Sequence, residues 1–221
     1  MNYAVLIPAR AGSVRLKNKN LRILGNKKLI SWTIDFAEKL ISKKKIFIST
    51  DCQKIINLFK KKVIIIKRPK YLSTSKSSTE AVINHFVKKT KNFFDFLILL
   101  QPTSPFRSLS SLKVAIKMFK RYQVNIISVS KFTKDDLKKP VFVIGKKKII
   151  KRSQIKIKLF QKIISKKLHF INGNFYILSL KKFNQKKVIS YKFIPLIEKY
   201  KKNKLDIDTL KDLQKANKFI N

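Results

Sequence analysis

Acidic residues are scarce in this chain: 11 of its 221 positions are aspartate or glutamate, against 53 lysines and arginines. Each carboxylate is therefore informative, because so few exist to cap, pair or coordinate. Cysteine is nearly absent. Cys52 has no partner for an internal disulfide, which suits a reducing compartment and the expectation of a cytoplasmic protein. With only two histidines, His85 and His169, the chain shows no zinc-ligand spacing and no Ser/His/Asp or Cys/His set. Four glycines form neither a G-x-x-x-x-G-K-[ST] loop nor a G-x-G-x-x-G fingerprint. Long apolar runs are missing too. The longest, Phe93 to Leu100, is broken by Asp95 and is too short for a bilayer span. The chain enters a strand-like run at Tyr3 without a basic or long apolar leader, so neither a signal peptide nor membrane insertion is expected.

Positive charge is what the chain has in excess, with a formal net charge of +42. Such a charge first suggests a partner such as nucleic acid or an anionic membrane surface. The distribution argues otherwise. Seven arginines leave 46 lysines, and the lysines are spread evenly, whereas a nucleic-acid site usually clusters arginine, whose planar fork reads phosphate and base edges. Abundant Lys, Ile, Asn and Phe fit the drift of an AT-biased genome, which leaves solvated lysine on every exposed face. A basic nucleic-acid-binding protein is a remote alternative, and no specific nucleic acid is expected as a partner. Hydrophobic residues make up 44%, enough for a real core, and the length suits a single domain spanning 1–221.

Short apolar runs alternate with helical periods. Tyr3–Pro8, Lys45–Ser49, Val63–Lys67, Phe94–Leu100 and Asn125–Val129 read as strands. Between them Lys28–Leu40, Gln53–Lys60, Thr79–Lys89 and Leu109–Phe119 carry apolar residues at three- and four-residue spacing. This order predicts an α/β fold with a doubly wound, mostly parallel sheet. After about Ser130 the pattern changes. Val141–Ile144, Gly145 and Lys148–Lys151 read as a hairpin, a Lys-rich segment runs to Lys167, and His169–Leu178 resumes a strand. The region 131–170 reads as an excursion from the main sheet. Tyr191–Pro195 and Lys204–Ile207 are further short strands, and Asp208–Phe219 is a closing helix.

Four stretches carry chemistry. "IPARAGSVRLKNKN" leaves the first strand at the carboxyl edge, where ligands bind in this architecture. It concentrates Arg10 and Arg15, close to Arg22, and has Gly12 at a position where positive φ is often needed. Arg10 and Lys19 could neutralise a polyphosphate, with Ser13 and backbone N–H groups cradling an oxygen; a solvated basic turn accounts for the spacing equally well. Asp206 and Asp208 stand at i and i+2, which on an extended strand turns both carboxylates to one face, as a hard divalent cation requires. The competing role is capping, with Asp208 or Thr209 as N-cap and Asp212 completing a box. "LLQPTSPFR" sets Gln101 at the end of the central strand, with Ser108 or Ser110 available to cap the next helix. Arg68-Pro69, followed by Ser75 to Glu80, adds a cation and hydroxyls at the same edge. Of lesser weight, Asp51 reads as a helix N-cap, Asn172-Gly173 inside an apolar strand as a tight turn or a backbone approach to ligand, and both histidines as structural.

With "ISTD", "KRPKYLSTSKSSTEAV", "NGNFYI" and "LDIDTLKDL", these stretches occur in the order, and near the spacing, of one family. The chain resembles the acylneuraminate cytidylyltransferases, or CMP-sialic acid synthetases, over nearly its whole length. The resemblance implies a Rossmann-like nucleotidyltransferase fold with a small β-rich dimerisation excursion, and a homodimer. It implies activation of an acidic nine-carbon 2-keto acid sugar, of sialic or legionaminic type, by CTP, for surface glycan biosynthesis. CMP-pseudaminate and CMP-KDO synthetases are the alternatives. By resemblance Arg10 and Lys19 bind the triphosphate, with Ser13 and Asn20 near the nucleotide. Arg68 and Thr79 lie near the cytosine and Gln101 contacts the sugar. Asp206 and Asp208 hold Mg²⁺ (or Mn²⁺), with Arg10, Lys19 and Asp208 as the catalytic set. The chain departs from the family at Val14-Arg15, where Lys-Gly is common. It also lacks an Arg-Arg-Gln motif just before Asn172, having Gln161-Lys162-Ile163 there and Arg152-Ser153-Gln154 upstream.

Overall fold

The computed structural model describes residues 1–132, 141–144, 149–151, 168–181 and 193–220. Its main strands are β1 (Tyr3–Pro8), β4 (Ile46–Thr50), β5 (Ile64–Lys67), β6 (Phe96–Leu99), β7 (Asn125–Lys131), β10 (Leu168–Ser179) and β11 (Phe193–Glu198), ordered β11-β7-β10-β6-β1-β4-β5. β1 pairs in parallel with β4 and β6, β4 with β5, and β11 with β7. β10 alone among the seven runs against its neighbours, β6 and β7. The helices are α1 (Leu29–Glu38), α2 (Gln53–Phe59), α3 (Thr79–Lys89), α4 (Leu109–Tyr122) and α5 (Leu210–Asn217).

The alternation of side chains along each strand explains the two-sided winding. From β1, Val5 and Ile7 pack with Ile30 and Ile34 of α1, Ile55 of α2, and Ala115 and Phe119 of α4. Ala4 and Leu6 pack on the opposite face with Val82, Ile83 and Phe86 of α3. β6 divides likewise, Phe96 and Ile98 to one face and Leu97 and Leu99 to the other. A third cluster joins Leu16 of the opening loop to Ile207 and to Leu213 and Ala216 of α5. The loop is thus anchored by an apolar residue in the middle of its cationic run.

Caps set several helix starts. Ser78 accepts from the Ala81 N–H at 3.1 Å to begin α3, and Ser108 from the Ser111 N–H at 3.1 Å to begin α4. At α5, Thr209 and Asp212 form a reciprocal capping box. Thr209, not Asp208, is therefore the cap. The expected cap at Asp51 is not formed. Cys52 occupies the N-cap position of α2 without a side-chain bond, and Asp51 Oδ1 instead accepts from the Ala11 N–H at 2.8 Å. A part-buried carboxylate-to-loop bond satisfies the loop N–H of Ala11 in place of a cap.

Other elements shift. A two-stranded hairpin, β2 (Ile23–Leu24) with β3 (Lys27–Lys28), precedes α1; its short strands give no period for sequence reading to find. Gly25 at its turn has φ +60°, and Asn18, at φ 55°, rather than Gly12, is the left-handed residue of the opening loop. The segment 205–208 joins no ladder, although Leu205 at its start is extended, and a 3₁₀ turn, Lys201–Lys204, precedes it. The last strand is described from Phe193 to Glu198, and its expected start at Tyr191 lies outside the described residues. The hairpin of the expected excursion is present as β8 (Val141–Ile144) with β9 (Ile149–Lys151), and β8 also pairs with the first residues of β10. Gly145, the Lys-rich segment to Lys167, and the stretches at 152–154 and 161–163 lie outside the described residues.

Candidate active site

β4 and β5 extend the sheet on one side of β1 and β6 on the other, so the carboxyl ends of β1 and β6 flank the point where the winding direction reverses. A cavity of about 440 Å³ opens there. All nine residues singled out from sequence line it: Arg10, Ser13, Lys19, Asn20, Arg68, Thr79, Gln101, Asp206 and Asp208. They come from the loop after β1, the end of β5, the start of α3, the end of β6 and the segment before α5. Arg15 joins them, so four cations face two carboxylates across the cavity.

The loop is held from below. Asp51 takes the Ala11 N–H, Thr50 Oγ1 donates to the Ala9 carbonyl, and Asn20 Nδ2 donates to the Arg10 carbonyl at 3.2 Å. Asn20 is buried, so its amide shapes the loop as well as facing the cavity. Arg10 Nη1 donates to the Gly12 carbonyl. Arg68 is buried beside the strand end, with Nε 3.1 Å from Ser49 Oγ and Nη2 2.7 Å from the Ser49 carbonyl. Burial, reinforced by the nearby Arg10 charge and opposed by Asp51, pushes the Arg68 guanidinium down to about 10. It stays protonated near neutrality, and a rigid cation with a desolvation deficit gains by meeting an anion.

Lys19 Nζ lies 2.6 Å from Asp208 Oδ1, and Arg15 Nη2 lies 2.7 Å from Asp208 Oδ2. Ile207 between the two aspartates is fully buried, which turns Asp206 and Asp208 to the cavity although no strand is formed. Both carboxylates therefore reach the cavity from a segment anchored at Ile207 rather than from a strand. The Ile207 N–H donates to the Thr103 carbonyl at 2.8 Å and so ties this segment to the Gln101 loop.

Arg107 was given no role from sequence, and Gly173 was read there only as part of a turn or a backbone approach to ligand. Arg107 sends Nε to the Asn174 carbonyl at 2.6 Å, Nη1 to Thr33 Oγ1 at 3.0 Å and Nη2 to the Gln101 carbonyl. Burial pushes it down to about 9 against the attraction of Glu198 and Asp206. It fixes the backbone that carries Gln101. Behind it Asn172, Ser128, Ser130, Asn174, Glu198 and Asn203 form a buried hydrogen-bonded network. The pairing of β10 with β7 shifts register between Ile171 and Tyr176, and Gly173 inside that bulge approaches Gln101 and Ser104. "NGN" within an apolar strand was the available sign. Neither histidine lines the cavity.

The cytidylyltransferase family model matches residues 4–220. The chain belongs to the cytidylyltransferase family. A relative at full length is the CMP-N,N'-diacetyllegionaminic acid synthase of Legionella pneumophila, 30% identical over 220 residues, 95% of this chain and 92% of that one. The N-acylneuraminate cytidylyltransferase of Escherichia coli O18:K1:H7 is 33% identical over 133 residues, 58% of this chain and 31% of that longer one. Among solved structures, CMP:2-keto-3-deoxy-manno-octonic acid synthetase in complex with CTP superposes with a TM-score of 0.75 at 14% identity, covering 100% of this chain and 98% of that one. A UDP-glucose pyrophosphorylase gives 0.66, also at 14% identity, covering 100% and 98%. These two likenesses show the fold, the nucleotidyltransferase form of the Rossmann-like sheet. This cytidylyltransferase is thus an enzyme. No helix among the described residues is long and apolar enough to cross a membrane.

Proposed function

We propose that this cytidylyltransferase joins CTP to a nine-carbon 2-keto acid sugar of sialic or legionaminic type, releasing pyrophosphate. The activities named for the Legionella and Escherichia relatives motivate the substrate. The observation that carries the reading is the convergence of Arg10, Lys19, Arg68, Gln101, Asp206 and Asp208 on one cavity at the switch of the sheet. A cavity with four cations and two carboxylates suits a triphosphate and an anionic sugar.

In this reading the anomeric hydroxyl attacks the α-phosphorus. A sugar O–P bond forms, the bond from the α-phosphorus to the bridging oxygen breaks, the hydroxyl proton is lost, and pyrophosphate leaves. Arg10 and Lys19 hold the phosphates and neutralise the charge that builds on the departing pyrophosphate, with Ser13 and Asn20 shaping the loop around them. Arg68 and Thr79 border the base, and Gln101 orients the sugar. Alignment of the two reactants supplies much of the remaining acceleration.

Asp206 and Asp208 offer two hard oxygen donors, and among the described residues no group of three or more His, Cys, Asp or Glu is placed to bind a metal. That donor set fits Mg²⁺ or Mn²⁺, which commonly takes one or two carboxylates and completes its shell with water and phosphate oxygens. Bound there, the ion would polarise phosphoryl oxygens and offset their charge. The same reading makes the protein a cytoplasmic homodimer that supplies an activated sugar for surface glycans, with the segment 131–170 at the subunit contact.

The test is a substrate panel with CTP and Mg²⁺: N-acetylneuraminate, N,N'-diacetyllegionaminate, pseudaminate and KDO, read as pyrophosphate and CMP-sugar. Product with a sialic or legionaminic acid is expected. A folded enzyme that turned over only pseudaminate or KDO would move the substrate class, and one that turned over none would remove the reading.

A further inference from the structure

Asp208 carries a cation on each oxygen, Lys19 at 2.6 Å on Oδ1 and Arg15 at 2.7 Å on Oδ2. The two cations are not equivalent. The Lys19 side chain is 16% exposed and opens the 3₁₀ turn Lys19–Leu21, whose Asn20 is bonded to the Arg10 carbonyl. The Arg15 side chain is 69% exposed and stands at the lip of the cavity, beside Val14, which is 80% exposed. Lys19 is built into the wall, whereas Arg15 reaches the same carboxylate from solvent. A carboxylate engaged by cations on both oxygens is a poor ligand for a divalent ion, because a cation must leave and those remaining repel the newcomer.

We infer that Arg15 is an exchangeable cation of the site. It holds Asp208 Oδ2 when the cavity has no nucleotide, moves to the triphosphate when CTP enters, and so releases Asp208 to a divalent cation. The inference rests on the functional reading above, in which CTP and the cation share this cavity. The exposed guanidinium has the reach and the planar fork for a phosphate, and leaving a partly exposed ion pair costs it little. The consequence is a coupling between nucleotide and metal. CTP removes the competitor for Asp208 and thereby favours the ion, and by linkage the ion favours CTP. Arg15 is a binding residue in this scheme and takes no part in bond making.

The experiment measures two affinities separately: Mn²⁺ alone, from the paramagnetic resonance of the free ion, and CTP alone in EDTA, by calorimetry. Arg15→Met is expected to bind Mn²⁺ about two- to fivefold more tightly than the wild type, the scale of one partly exposed ion pair. The same variant is expected to bind CTP at least about threefold more weakly. Arg15→Lys, which keeps the charge but not the planar fork, is expected to stay near the wild type for Mn²⁺ and to fall between the wild type and Arg15→Met for CTP. A residue that merely supported the loop would weaken both ligands together. Unchanged or weaker Mn²⁺ binding by Arg15→Met overturns the exchange, whatever happens to CTP, while a wild type that binds both ligands preserves the functional reading. A wild type that bound neither would remove that reading and the exchange with it.

Discussion

Gly173→Ala puts two predictions on one atom. Gly173 has φ +80°, and a Cβ there would stand 2.8 Å from Ser104 Oγ and 3.0 Å from Gln101 Oε1. The positive φ alone costs an alanine about 1–2 kcal/mol, and relieving the contacts brings the total to about 2 kcal/mol. For a chain of this length that corresponds to a fall in Tm of roughly 4–8 °C. The relief is not shared equally. Ser104 is fully buried, with its hydroxyl on the Asn172 carbonyl at 3.4 Å, whereas the Gln101 amide is the far end of a flexible side chain facing the cavity. The Ser104 contact has to be relieved locally, and the Gln101 amide has to give by a few tenths of an ångström as well. Displacing it by a fraction of an ångström or more should lower kcat/KM for the sugar about 10- to 100-fold. KM for CTP, which the proposed reading places on Arg10, Lys19 and Arg68, should change less than about twofold if the two subsites are independent. Thermal unfolding and two-substrate steady-state kinetics measure both effects, with Gln101→Ala as the comparison that loses the sugar contact without the backbone strain. A destabilised Gly173→Ala with normal sugar kinetics would show that Gln101 is not positioned by the bulge. Unchanged stability would refute the strain argument itself.

Asp208→Asn should lower turnover by at least about 100-fold, the scale of losing one preorganised charge-stabilising group, while far-UV circular dichroism stays unchanged; near-normal turnover would remove Asp208 from the catalytic set. Thr209→Ala breaks the capping box of α5 and should cost about 1 kcal/mol in urea unfolding, with a rise in KM for CTP because Asp208 immediately precedes the cap. Asp51→Ala frees the Ala11 N–H and should weaken CTP several-fold in equilibrium binding without a matching change in the sugar KM. Burial raises the Glu198 carboxyl above the ordinary glutamate range, against the opposing bonds from Asn203 and Asn174. The folded state then binds a proton more readily than the unfolded one, so Glu198 lowers stability as pH rises from the ordinary glutamate range through the raised value. Glu198→Gln should remove that falling component, seen as a flatter difference in urea midpoints between pH 4 and 8; an identical pH dependence in both proteins would contradict it.

The fold was legible where physics repeats. Alternating strands and amphipathic helices identify β1, β4, β5, β6 and β7 and the helices α1 to α4 because each buries a periodic face on one sheet. The antiparallel insertion of β10 was not legible. An apolar strand looks the same in either direction, and only the long-range pairing with β6 and β7 fixes it. The convergence of these residues on one cavity has a different origin: groups at strand ends meet whatever their separation in sequence, whereas the roles given to them came from the resemblance. The partner of each group was not legible. Asp51 could cap α2 or hold the loop, and the choice depended on an N–H forty residues away, at Ala11.

The scarcity of acids sharpens that last point. In a chain of net charge +42 every exposed carboxylate has many lysines to meet, so proximity to a cation identifies nothing. Asp35 meets Lys27 and Lys62, and Asp95 meets Lys181, on surfaces away from the cavity. What separates Asp206 and Asp208 from these is their anchorage. Between them Ile207 is buried against Leu16, so the apolar residue of the cationic loop and the apolar residue of the acidic pair pack in the same cluster. That contact brings Lys19 and Arg15 to Asp208 across 189 and 193 residues of chain, respectively. Electrostatic attraction alone would leave such a pair exposed and worth little. A hydrophobic clasp fixes the distance between loop and acidic segment first, so that the wall-bound Lys19 stays at Asp208 while the exposed Arg15 is free to exchange. Leu16→Ala should accordingly cost about 2–3 kcal/mol of stability, because it truncates a buried leucine at the edge of a cluster. It should also raise KM for CTP although Leu16 carries no charge. Normal CTP kinetics in a destabilised Leu16→Ala protein would show that the charges hold the loop without the clasp.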